Sequence, residues 1–214
     1  MQFVIFHGSF SSSYSNWFPE LKEKLELIGQ EVLIPEFTTE DWKEVTGRGI
    51  NYVTKNQNLQ NWLRIFENKI LPMIKKRNKL CFVAHSLAPL FVLHILEKYN
   101  IKLDCAIFVS PFLTKLNKSW QIDLVNSSFY KKGFNFNKLK KLINVSYTLY
   151  SENDPYVDKK YSIEFAKKLN SSLILVKGAG HMNSEVNLNK FPLVFELCKT
   201  RLNLSLYQKY INSL

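Results

Sequence analysis

Leu80-Cys81-Phe82-Val83-Ala84-His85-Ser86-Leu87-Ala88-Pro89-Leu90 joins two apolar stretches through a single serine. Leu80–Val83 reads as a short buried strand, and Leu87 to Tyr99 as a helix that is apolar on nearly all sides. A helix of that composition has to be buried. Pro89 falls in its first turn, where no intrahelical N–H is lost. A serine at a sharp strand-to-helix turn has a strained backbone and a hydroxyl held out beyond the strand end, which is the nucleophile-elbow geometry. Small residues are needed two positions to either side, and here they are Ala84 and Ala88.

Outward from this turn, strand and helix signals alternate. Gln2–Phe6 is an apolar run stopped by His7-Gly8, and residues 9–15 form a serine-rich loop. Asn16 is placed to cap a helix that ends at Gly29, with Trp17, Leu21, Leu25 and Ile28 on one face. Glu31–Ile34 is a second strand, and residues 36–56 are polar and irregular. Residues 57–76 have a helical period that Pro72 should kink or shorten. Cys105–Val109, Val145–Tyr150 and Leu173–Val176 are further strands. Val157–Leu169 and Leu188–Leu202 read as helices, and 203–214 as a weaker tail. Apolar strands alternating with helices predict an α/β fold: a three-layer α/β/α sandwich around a six-stranded parallel sheet, in one domain over 1–214. Residues 111–137 fall where a lid or cap belongs. Their aromatics, Phe112, Trp120, Phe129, Tyr130, Phe134 and Phe136, either line an acyl site or simply cover the sheet.

Composition narrows the function classes. The 214 residues carry 29 Lys and Arg against 18 Asp and Glu, a net charge of +11. Of the basic residues 25 are Lys and 4 are Arg, and 20 Asn accompany them. Base readout and phosphate forks favour Arg, so dispersed Lys of this kind reads as a solvated surface and no nucleic-acid partner is expected. No stretch is long and apolar enough for a membrane span, and the start of the chain has no basic leader followed by a small-residue cleavage site. Three widely spaced cysteines, Cys81, Cys105 and Cys198, read as buried free thiols in a reducing compartment, so a cytoplasmic location is expected. There is no metal-ligand spacing and no phosphate-binding glycine loop, so neither a metal nor a cofactor is expected.

The residues with chemical potential cluster where ligands bind in such sheets, beyond the carboxyl ends of the strands. A serine hydroxyl needs a base, and the base needs an orienting acid. His181 lies after the sixth strand, in Gly178-Ala179-Gly180-His181-Met182-Asn183, where two glycines allow a tight loop. The turn Ser151-Glu152-Asn153-Asp154-Pro155-Tyr156-Val157 offers Glu152, Asp154 and, one residue on, Asp158. Asp154, held extended before Pro155, is the best placed. Leu87 is expected to supply one oxyanion-hole amide and Ser9 the other, with Phe10 second to Ser9. Phe10, Phe112 and Met182 are expected to contact the substrate. His94 reads as structural, and His85 as pointing away from Ser86.

His7-Gly8, Ser12, Asn16-Trp17-Phe18-Pro19, Asn61-Trp62-Leu63, Val83-Ala84-His85-Ser86-Leu87 and the two loops just quoted resemble, in order and spacing, a family of small serine hydrolases. That family includes bacterial enzymes and the mammalian retinoblastoma-binding protein nine. The resemblance covers about residues 2–200. It implies a compact α/β-hydrolase fold with strand order 2-1-3-4-5-6, with Ser86, Asp154 and His181 as nucleophile, acid and base. It also implies carboxylesterase or peptidase-like activity on small substrates. Ala88 stands where the family usually has Gly, and the Leu-x-Cys-x-Glu peptide linked to retinoblastoma-protein binding does not occur.

The expectation is therefore a serine hydrolase that cleaves a small ester, thioester or amide through an acyl-enzyme, with a small acyl substrate as its partner. The same residues leave two alternatives: a non-catalytic interaction module that keeps the fold, and an acyltransferase.

Overall fold

Every residue of Gln2–Phe6 (β1), Leu80–His85 (β3) and Cys105–Val109 (β4) is buried, so these strands are covered on both faces. That is why they read as unbroken apolar runs rather than alternating ones. In the computed structural model, which describes residues 1–75 and 79–202, they form the centre of one all-parallel sheet. Glu31–Leu33 (β2) pairs with the outer side of β1, and Ser146–Tyr150 (β5) and Ser172–Leu175 (β6) extend the sheet beyond β4, giving the order β2-β1-β3-β4-β5-β6.

Alternate residues of the strands feed two cores. Val4, Phe6, Phe82, Ala84 and Phe108 face one side. There they meet Leu59–Ile65 (α3), Ala88–Tyr99 (α4), Phe136–Leu142 (α6) and Lys159–Leu169 (α7). Phe3, Ile5, Val83, Ile107 and Val109 face the other, under Phe18–Leu27 (α1) and Pro192–Lys199 (α8). Cys81 and Cys105 are register partners on β3 and β4; with Cys198 of α8 they are buried free thiols in this second core.

Several elements depart from the sequence reading for local reasons. Asn16 does not cap α1: its backbone is left-handed (φ 55°), and its Oδ1 accepts from the Ser184 N–H at 3.0 Å. The helix from residue 57 is capped instead by Asn58 and stays α only to Ile65. It then widens through Phe66–Ile70 and tightens at Leu71–Met73, because Pro72 has no N–H to give to the preceding turn. Its expected end at Lys76, and the tail 203–214, lie outside the described residues. The last helix begins at Pro192 rather than Leu188. Residues 36–56 are not irregular throughout, for they hold a seven-residue helix, Trp42–Arg48 (α2). A six-residue helix, Trp120–Val125 (α5), lies in the expected cap segment. No helix among the described residues is long and apolar enough to cross a membrane.

Candidate active site

The turn after β3 is as sharp as its sequence requires. Ser86 has φ 62°, a left-handed backbone rarely adopted by residues other than glycine, and its N–H donates to the Val109 carbonyl at 2.9 Å. α4 begins two residues later. Ala84 and Ala88 are both fully buried, so the turn closes with a methyl group on each side. The facing surface is Gly8, where an added Cβ would lie 2.8 Å from Ser86 Cβ and 3.3 Å from its Oγ. Only glycine lets the loop after β1 come that close.

Two loops bring the other groups to the serine. The Ser86 hydroxyl donates to His181 Nε2 at 3.0 Å, and His181 Nδ1–H donates to Asp154 Oδ2 at 2.8 Å. The Asp154 carboxylate also accepts from the Ser110 hydroxyl at 3.0 Å and from the Tyr156 and Val157 N–H groups, each at 2.9 Å. Burial pushes its pKa up, but the His181 hydrogen bond and charge, with the two backbone donors, outweigh that and hold it below the ordinary value. The other two acids of the turn are engaged elsewhere: Glu152 accepts from the Gly178 N–H at 3.3 Å, and Asp158 caps α7. Ser151 Oγ accepts from the Ala179 N–H at 3.0 Å and Asn153 Oδ1 from the Gly180 N–H at 2.9 Å. The acid loop thus holds the histidine loop through its backbone.

Two further histidines are locked in neutral form. His85 Nε2–H donates to the His181 carbonyl at 2.9 Å, and its ring packs against Trp17 and His181. Burial is the main cause that lowers its pKa to about 3. His7 Nε2 accepts from the Phe37 N–H at 3.0 Å, so its proton is on Nδ1, which donates to the Gly8 carbonyl at 2.9 Å. Burial lowers its pKa as well. Because the peptide is planar and trans, fixing the Gly8 carbonyl turns the Ser9 N–H the opposite way. Neither the Ser9 N–H nor the Leu87 N–H has a hydrogen-bond partner among the described residues. His94 donates from Nε2 to the Phe129 carbonyl at 2.7 Å, a structural role.

A cavity of about 540 Å³ opens at Ser86 and His181. Phe10, Trp42, Leu116, Ile122 and Val157 supply its apolar lining, and Asn16, Asn183, Ser184 and Glu185 much of its polar lining. Phe10 lies where the sequence reading put it, but Phe112 and Met182 do not. Phe112 is fully buried in the sheet core beside Tyr130. Met182 has a left-handed backbone (φ 52°) and is fully buried in the core of the opposite face, its carbonyl accepting from the Trp17 indole at 2.9 Å. None of the six aromatics of 111–137 lines the cavity; that segment contributes Leu116 and Ile122.

The cover over the site has a small core of its own, in which Val45, Tyr52 and Val125 pack with Phe10 and Leu124. Glu40 ties the first half of it together, accepting from the Tyr52 hydroxyl and the Lys55 and Asn56 N–H groups, each at 2.7 Å, and from the Gln57 N–H at 3.1 Å. Gln57 Nε2 donates to Ser9 Oγ and Asn126 Oδ1, each at 2.9 Å, and Ser9 Oγ donates to Asn126 at 2.6 Å. Sequence reasoning missed Ser110, Trp42, Gln57 and Asn126. Only Trp42 had a signal, the Asp41-x-x-Glu44 pattern of a capped helix start.

Comparison with known proteins agrees with this architecture. The serine hydrolase family model matches residues 3–200. YdeN of Bacillus subtilis (strain 168) is 25% identical over 199 residues, covering 92% of this chain and 93% of that protein. The crystal structure of the B. subtilis ydeN gene product superposes with a TM-score of 0.78 at 23% identity, covering 94% of this chain and 97% of that one. Est1E from Butyrivibrio proteoclasticus, solved with ferulic acid bound, gives a TM-score of 0.64 at 17% identity over 93% of this chain and 86% of its own. With its model matched over nearly the whole chain, the protein belongs to the serine hydrolase family and has the α/β-hydrolase fold.

Proposed function

We propose that Ser86 attacks the carbonyl carbon of a small ester, thioester or amide, with His181 as base and Asp154 as the acid that orients it. The observation that carries this is the unbroken hydrogen-bond chain from Asp154 Oδ2 through the imidazole to Ser86 Oγ, at 2.8 and 3.0 Å. His181 takes the hydroxyl proton as the bond from Oγ to carbon forms. It returns that proton to the leaving group as the tetrahedral intermediate collapses to an acyl-enzyme. Water, deprotonated by the same imidazole, then releases the acid and restores Ser86. The negative oxygen of the intermediate is received by the N–H groups of Ser9 and Leu87, the second at the start of α4, where the helix dipole adds to the effect. Phe10 contacts the acyl group. A cytoplasmic setting fits the buried free thiols, and a small-molecule acyl substrate fits a cavity of about 540 Å³.

The test is turnover of p-nitrophenyl butyrate by the wild type and by Ser86→Ala. Loss of a nucleophile in such a triad costs on the order of 10⁴-fold or more in kcat. A Ser86→Ala variant that kept wild-type turnover would overturn the assignment.

A further inference from the structure

The surface of the protein is strongly basic, but the cavity at Ser86 is not. Among the described residues no Lys or Arg lines it, and the one carboxylate in its lining is that of Glu185. Lys118 approaches the site but is engaged with the Asp154 carbonyl at 3.3 Å and is not part of the lining. Glu185 is held in place, since the Tyr156 hydroxyl donates to both of its oxygens at 3.0 Å. The Tyr156 pKa is pushed up to about 12 by burial and by Glu185, so the phenol stays protonated and remains a donor. The Tyr156 ring stands edge-on to the His181 imidazole, with centroids 5.0 Å apart.

This arrangement gives the cavity a direction. The leaving-group oxygen has to lie within hydrogen-bond reach of His181 Nε2 to receive its proton. The Tyr156 ring lies against that imidazole and its hydroxyl holds Glu185, so a leaving group that extends past His181 on this side meets the pair. Phe10 lies next to Ser9, the expected oxyanion donor, and packs edge-on against Trp42 with centroids 5.0 Å apart, on the side left for the acyl chain.

Resting on the reading of Ser86 as nucleophile, we propose that the enzyme prefers esters of an apolar acid with a cationic alcohol, and that Glu185 is the residue that sets this preference. An exposed carboxylate facing the leaving group attracts a cation and repels an anion there. The cationic-to-anionic ratio of kcat/KM is then about tenfold.

The experiment uses three butyrate esters of matched shape, those of choline, 3,3-dimethylbutanol and 2-hydroxyethanesulfonate, with wild type and Glu185→Gln. The expected result is a choline-to-sulfonate ratio of about ten that shrinks with added salt and falls toward one in the variant. Salt screens an exposed charge, but it would not change a preference of shape. Equal kcat/KM for all three, or a ratio unchanged in Glu185→Gln, overturns the proposal. The rate at which a fluorophosphonate labels wild-type Ser86 gives a reading independent of ester turnover. Free choline should slow it and 2-hydroxyethanesulfonate should not, and equal effects of the two would also overturn the proposal. Absence of any labelling would instead strike at Ser86 as the nucleophile, so the two failures are distinguishable.

Discussion

Residues 151–154 and 178–181 hold one another through backbone amides, whereas α2 and α5, which cover them, are held through side chains. In the first region Ser151, Glu152 and Asn153 each accept a backbone N–H from Gly178, Ala179 or Gly180, and Asp154 then meets His181. In the second, Glu40, Gln57, Ser9 and Asn126 form the network, with Val45 and Val125 packed beside it. Backbone amides offer donors at fixed spacing, so a short contiguous motif suffices to fix the first region. The second needs residues from four separate stretches, and any of them can change without disturbing the sheet. On the proposed function, the chemistry sits at the strand ends and substrate choice in a separable cover.

Among the variants that compare the two regions, Asp154→Asn should have the largest effect. Asn fills the same space but offers an amide N–H where His181 needs an acceptor, which favours the wrong imidazole tautomer. kcat should fall by roughly 10³- to 10⁴-fold with little change in thermal unfolding. A loss below tenfold would mean that the chain through Asp154 does not orient the base.

Gly8→Ala comes next. Its methyl would meet Ser86 Cβ at 2.8 Å and must displace the elbow or the Ser9 peptide. The expected result is a fall in kcat of about 10²-fold. Gly133→Ala, in the covering segment with nothing within 4 Å of the new methyl, should leave steady-state rates unchanged. Equal behaviour of the two would erase the contrast between the regions.

Trp42→Ala probes the cover alone. It removes an apolar wall far from the proton transfers, so KM for butyrate and longer esters should rise about three- to tenfold with kcat little altered. A loss confined to kcat would show that α2 supports the chemistry.

The smallest effect is on acid stability. His85, with a folded pKa of about 3 against an ordinary 6.5, stays neutral when folded and takes up a proton when unfolded. Its neutral form therefore contributes fully above pH 6.5, and that contribution is lost as pH falls below it, by at most about 1.4 kcal/mol per unit. His85→Gln keeps a donor for the His181 carbonyl without titrating, and should flatten the decline in melting temperature between pH 7 and pH 5. An unchanged slope would argue against a neutral buried imidazole.

The same contrast explains what could be read from the sequence. The strands were legible because a parallel sheet covered on both faces leaves uninterrupted apolar runs, and the strand order followed from the family resemblance. Ser86, Asp154 and His181 stood out because each follows a strand, in a turn with its own glycine, proline or alanine signature. α2 was missed because Val45 is its one buried residue, too few for a period to appear. Phe112 and Met182 were misplaced for a different reason. Position next to a motif says nothing of which way a side chain points, and both turn into the cores. The aromatics of 111–137 misled in the same way: Phe129 packs edge-on against Trp62 in the sheet core, and the cavity is left to Leu116 and Ile122.

The measurement that tests the central claim most directly is labelling with a fluorophosphonate, followed by peptide mapping of the adduct. A hydroxyl activated by the Asp154–His181 pair should react at Ser86 alone, and labelling should vanish in Ser86→Ala and slow by orders of magnitude in His181→Ala. A folded wild type that resists the probe, or an adduct on another serine, would contradict the account.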